Sequence, residues 1–100
     1  MPEFCLVICC PALIEEQLVD VLLDAVGDSP FISVPAFGHG AAQRGLSPAD
    51  QVMGRSASVQ LQIVLTEQGL DDLLRRLRDE FRGAGLRYWA HPLAAQGWIE

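Results

Sequence analysis

The segment Phe4-Cys5-Leu6-Val7-Ile8-Cys9-Cys10 is apolar without interruption. Seven residues is strand length, and the β-branched pair at its centre favours extended backbone over helix. Successive side chains of a strand alternate, so Phe4, Leu6 and Ile8 face one way while Cys5, Val7 and Cys9 face the other. Neither side offers a polar row to water. Any sheet that holds this strand must therefore be covered on both faces, because a large exposed apolar patch is rarely tolerated by a monomer.

The rest of the chain supplies elements that can cover only one face. Pro11 suits the first position of a helix, and from there Ile14, Leu18, Val21, Leu22 and Ala25 recur at helical spacing, with Glu16, Asp20 and Asp24 on another stripe that reads as a solvated face. Gly27 ends this helix. Phe31 to Phe37 predicts a second strand, and Pro35 confines it to a sheet edge. Residues 38–55 carry no sustained period and predict a long loop, with one short helical turn from Ser47 through Met53. Ala57 to Leu65 alternates strictly, with Ala57, Val59, Leu61, Ile63 and Leu65 on one face and Ser58, Gln60 and Gln62 on the other. Thr66 can cap a helix whose Leu70, Leu73, Leu74, Leu77 and Phe81 share a face, with Asp71 and Arg75, Asp72 and Arg76, and Arg76 and Glu80 spaced as ion pairs. Gly83 and Gly85 end it, Leu86 to Leu93 predicts the last strand, and 94–100 is a tail.

The order strand, helix, strand, strand, helix, strand defines one α+β domain over residues 1–100, a ferredoxin-like βαββαβ sandwich with two helices on one face of a four-stranded antiparallel sheet. Right-handed crossovers put the first and third strands at the centre and the second and fourth at the edges. The face without helices must then meet another chain. Self-association through it is expected, with Gln60 and Gln62 supplying hydrogen bonds and Trp89 and Trp98 packing at the interface, where Gly97-Trp98-Ile99 would extend a neighbour's sheet edge.

Charge narrows the partners. A formal net charge of −6, with seven arginines and no lysine, lacks the clustered positive excess that tracks nucleic acid. No run approaches the length of a membrane span and the run at Phe4 has no basic flank, so direct membrane insertion is not expected and the chain reads as soluble and cytoplasmic. The three cysteines lie in one strand, which leaves no partners for a disulfide framework.

The 38–55 loop is the main functional candidate, since a structureless connection of that length in a compact domain usually serves function. Its Arg44 and Arg55 could hold an anion in their planar donor forks, with a carboxylate pair or plain solvation as the ordinary alternative. His39 lies between Gly38 and Gly40, where close backbone approach and an imidazole suit a metal, although glycines also simply make turns. His91 is a second candidate metal ligand, or an interface histidine sharing a strand face with Arg87 and Trp89. Cys10, at the start of the predicted helix, is the third, since the helix dipole there can lower a thiol pKa. Cys9 and Cys10 point to opposite faces and would not chelate together, and burial as small hydrophobes is the favoured reading. No nucleophile, base and oxyanion set appears, nor paired carboxylates or a phosphate-binding glycine loop, and the chain is read as a non-enzyme.

Cys10-Pro11, Gly38-His39-Gly40, Gly54-Arg55 and Tyr88-Trp89, in this order and spacing, resemble the PII-like superfamily of nitrogen-regulatory PII and the copper-tolerance protein CutA. The likeness is closest to a small PII-like branch found beside heavy-metal efflux pumps. The resemblance implies a homotrimer with sheets facing inward, a recognition loop between the second and third strands, and a regulator that binds a ligand or transition metal and contacts an efflux-system protein. One departure concerns nucleotide. PII proteins hold ATP with a Gly-Asp-Gly-Lys type loop before the last strand, where this chain has Gly83-Ala84-Gly85-Leu86-Arg87, and its long loop lacks the Tyr that PII proteins can have modified. Without that lysine and the longer glycine loop the donors for a triphosphate are largely missing, which counts against ATP. The alternatives are a small dimeric ferredoxin-like enzyme of monooxygenase or isomerase type, with a pocket between helices and sheet, and an interaction module without ligand.

Overall fold

A computed structural model describes residues 2–27, 29–39 and 56–100. The predicted turn at 47–53 and most of the 38–55 loop, including Gly40, Arg44 and Arg55, lie outside the described residues. The chain forms β1 (Glu3–Pro11), a 3-10 turn (Ala12–Ile14), α1 (Glu15–Val26), β2 (Phe31–Gly38), β3 (Ser56–Thr66), α2 (Glu67–Glu80) and β4 (Arg87–Pro92). The sheet order is β2-β3-β1-β4 with every neighbouring pair antiparallel, the α+β ferredoxin-like arrangement expected. Pro35 sits in edge strand β2, where a missing N–H costs no ladder bond to a second neighbour.

Pro11 does not open the first helix. It closes β1, paired with Ser58, at φ −57° and ψ 140°, and α1 begins only at Glu15 after the 3-10 turn. The pyrrolidine ring fixes φ near a value that extended backbone accepts as readily as helix, so ψ was free to follow the strand.

The helices seal one face. Leu6 and Ile8 of β1, Leu61 and Ile63 of β3, and Leu18 and Leu22 of α1 are completely buried, joined by Cys10, Val59, Leu73 and Leu77. Each such aliphatic side chain contributes about 1.5–3 kcal/mol by leaving water. Thr66 caps α2 by accepting a 3.1 Å hydrogen bond from the Gly69 amide. Arg76 spans the helices, donating to Glu80 at 3.1 Å on its own helix and to Asp24 of α1 at 2.7 Å. The expected pair with Asp72 is replaced, because Asp72 meets Arg75 at 3.4 Å instead. Spacing along one helix could not show that packing would bring Asp24 within reach.

The register fixes the other face. Ile32, Gln62, Val7 and Trp89 form one row across the four strands, Val34, Gln60, Cys9 and Arg87 the next, and Val64, Cys5 and His91 a third. No helix of the described residues lies here, yet Cys5 and Val7 are buried at the centre by their larger cross-strand neighbours. The edges stay open, with Ile32 58%, Val34 41% and Trp89 40% exposed.

A cleft beside the glycine turn

α2 ends at Glu80, and the chain reverses through Gly83 (φ 79°) and Gly85 (φ 85°) before entering β4. Both glycines occupy left-handed backbone that a side chain would strain, so the turn requires them. Between the end of α2, this turn and the start of β4 lies a cleft of about 290 Å3. Leu74, Leu77, Phe81 and Leu86 give it apolar walls, and Arg78, Arg82 and Tyr88 add polar groups. Arg78 is oriented by donating to the Tyr88 hydroxyl at 3.2 Å. Among the described residues neither Arg78 nor Arg82 pairs with a carboxylate, in contrast to Arg75 and Arg76. Two guanidiniums beside an apolar wall and a glycine turn suit an anion carried on a flat apolar group.

Neither arginine was singled out in the sequence, where this stretch read only as a helix end short of lysine. Arg78 lies in the last turn of α2 and Arg82 in the turn just ahead of Gly83, and two arginines flanking a helix end before a glycine turn were a signal available in the sequence.

The sequence candidates fall elsewhere. Gly38 ends β2, opposite Ser56, and His39 follows it, exposed. His91 is exposed on the far edge strand β4, on the face without helices, with Arg87 and Trp89; the Arg87 guanidinium lies 5.5 Å from the Trp89 ring centroid. Three strand spacings, roughly 14 Å, separate the two edges that carry His39 and His91. Cys10 is buried in the helix-covered core. Burial first, then the Glu15 carboxylate and then Cys9, push its thiol up to about 11, the reverse of the lowering expected at a helix start. The core removes water from the thiol, and α1 starts farther on and adds a carboxylate. Among the described residues no group of three or more His, Cys, Asp or Glu comes together to hold a metal. Gln60 and Gln62 lie on the open face and bond each other, Gln62 Nε2 to Gln60 Oε1 at 2.9 Å. Trp98 is 77% exposed on the tail.

A four-stranded antiparallel sheet with helices on one face is the ferredoxin-like α+β fold, here with a cleft at the turn before the last strand, and it is the fold that PII-like proteins also have. The chain belongs to the family described as Protein of unknown function (DUF3240), whose family model matches residues 1–100. A DUF3240 family protein of known crystal structure from Shewanella baltica OS155 is 21% identical and superimposes with a TM-score of 0.78, over 98% of this chain and 97% of that one. CPII, a nitrogen regulatory PII-like protein from Thiomonas intermedia K12 solved with ADP, AMP and bicarbonate, is 19% identical, with a TM-score of 0.74 over 99% of this chain and 98% of its own. A protein from Thermus thermophilus assigned to PII-like signaling gives a TM-score of 0.67 at 19% identity, over 93% and 88% of the two chains. No curated protein matches the chain. No described helix is long and apolar enough to cross a membrane.

Proposed function

We propose that this protein is a PII-like regulator that assembles as a homotrimer through the open sheet face, binds an adenine mono- or diphosphate in the cleft beside Gly83 and Gly85, and contacts a protein partner through residues 38–55. The observation that carries the ligand is the pair Arg78 and Arg82, beside apolar walls and without a carboxylate partner among the described residues. A triphosphate remains disfavoured, since the turn is short and has no lysine, whereas two guanidiniums match a shorter phosphate chain. ADP and AMP bound to CPII, a protein of the same fold, support this ligand class.

Within residues 38–55, Gly38, His39, Gly40, Arg44 and Arg55 are the further ligand-binding candidates. A transition-metal efflux system is the partner that the family resemblance implies, with His39, His91 and Cys10 as the metal-ligating candidates. The buried, protonated thiol of Cys10 makes it the weakest of these.

Calorimetric titration with ADP and AMP tests the central part. The wild type should bind, and Arg82→Ala should weaken binding about tenfold or more, the range of a lost charged hydrogen bond. No heat with either nucleotide would refute the ligand. A parallel zinc or copper titration of His39→Ala addresses the metal, and an affinity equal to wild type would remove His39 from that role.

A further inference from the structure

The tail leaves the domain under restraint. The Leu93 amide donates to the Glu3 carbonyl at 2.9 Å, and Gln96 Nε2 donates to Glu3 Oε1 at 2.9 Å, which pins the segment to the first residue of β1. Beyond that anchor the chain presents Trp98 at 77% exposure and Ile99 fully exposed, followed by Glu100. An indole and a branched aliphatic side by side in water are costly, and aromatic anchors of this kind typically seat in a partner's pocket.

The cleft at the glycine turn has the matching chemistry. Its walls are apolar and, among the described residues, its two arginines have no carboxylate partner, so it fits an apolar pair next to an acid. Arg87 already stands over Trp89 in this protein, the same cation and indole pairing.

Position decides whose tail can enter. The cleft borders Ile8 and Tyr88, which face each other in the ladder five residues along β1 from Glu3, about 17 Å away at strand rise. From Gln96 to Trp98 the backbone extends only about 7 Å. The tail leaves the sheet at the end away from the cleft, and within the protomer it stays out of it: no residue from 93 to 100 lines the cleft and Trp98 is 77% exposed.

We infer that Trp98 and Ile99 of a second copy of this chain seat in the cleft, with Glu100 against Arg78 and Arg82, so that the tail of one protomer competes with ligand on the next. The competition rests on the nucleotide reading above; the docking does not.

Trp89→Phe leaves Trp98 as the only tryptophan. Its emission should move to shorter wavelength over the concentration range in which sedimentation shows assembly, and Arg82→Glu should return it to that of exposed indole. Should Trp89→Phe fail to assemble, the 19F spectrum of the 5-fluorotryptophan wild type, with Trp98 assigned by Trp98→Phe, reads the same environment. Emission typical of exposed indole in the assembled protein would overturn the inference. So would a buried Trp98 indifferent to Arg82→Glu, since that places the tail on a sheet face or edge. If the tail fills nine clefts in ten, Trp98→Ala should bind ADP about tenfold more tightly than wild type. An equal, measurable affinity in both proteins would overturn the competition, while absence of ADP binding in both would instead sink the nucleotide reading and leave the docking to the spectra.

Discussion

On the helix-covered face of the sheet, Leu6, Ile8, Leu61 and Ile63 are sealed within one protomer, whereas on the opposite face Ile32, Val34 and Trp89 keep 58%, 41% and 40% of their surface in water. The same strands supply both faces, so the difference comes from what lies on top. Two amphipathic helices finish the first face. The second is finished only at its centre, where Cys5 and Val7 are covered by neighbours in the sheet; its β2 edge is left apolar, while its β4 edge sets Trp89 between Arg87 and His91. The Gln60 and Gln62 pair lies between them, each amide bonded once within the protomer and with a second atom left for a partner. One face makes the protomer stable, and the other is the surface through which the proposed assembly would form.

Substitutions should separate these two roles, and the largest effect belongs to the sealed face. Leu61→Ala removes a fully buried side chain and should cost about 2–5 kcal/mol of protomer stability in a denaturant titration. A cost below about 1 kcal/mol would mean that this face is not the core of the fold.

Alkaline pH probes the same face. Cys10 ionises near 9.0 in the unfolded chain and about 11 in the folded one, so the folded state holds its proton where the unfolded state has lost it. Stability from this thiol is complete below pH 9, falls between pH 9 and 11 by up to roughly 2 kcal/mol, and is flat above. Cys10→Ala should abolish that component of the pH dependence. An unchanged profile would place the Cys10 thiol in contact with water.

The smallest effect on stability should come from the open face. Val34→Asp puts a charge on an exposed edge position and should change protomer stability by less than about 0.5 kcal/mol. Its signature is in sedimentation, where assembly should be lost. A Val34→Asp protein that assembles like wild type would mean that the open face is not the interface.

Much of this contrast was legible in the sequence. The unbroken apolar run from Phe4 announced a central strand, the alternation from Ala57 to Leu65 identified its partner, and Pro35 located an edge, because each signal depends only on residues near in sequence. The Thr66 cap and the Arg76 to Glu80 pair were local in the same sense. What escaped depended on elements meeting in space. Asp24 reaches Arg76 from another helix, and Arg78 and Arg82 acquire meaning only when the glycine turn folds beside them and Tyr88. Cys10 was misjudged electrostatically for a related reason, since burial under the helices first, and then Glu15 at the helix start, raise its thiol. The candidate cleft was therefore hidden in residues that looked like an ordinary helix end.

The open face gives the most direct test. Sedimentation equilibrium of the wild type at micromolar concentration should return three times the 10.9 kDa protomer mass, with Val34→Asp shifted to the single protomer. A wild-type particle of 10.9 kDa under the same conditions would contradict the reading of that face as one protomer's surface for another.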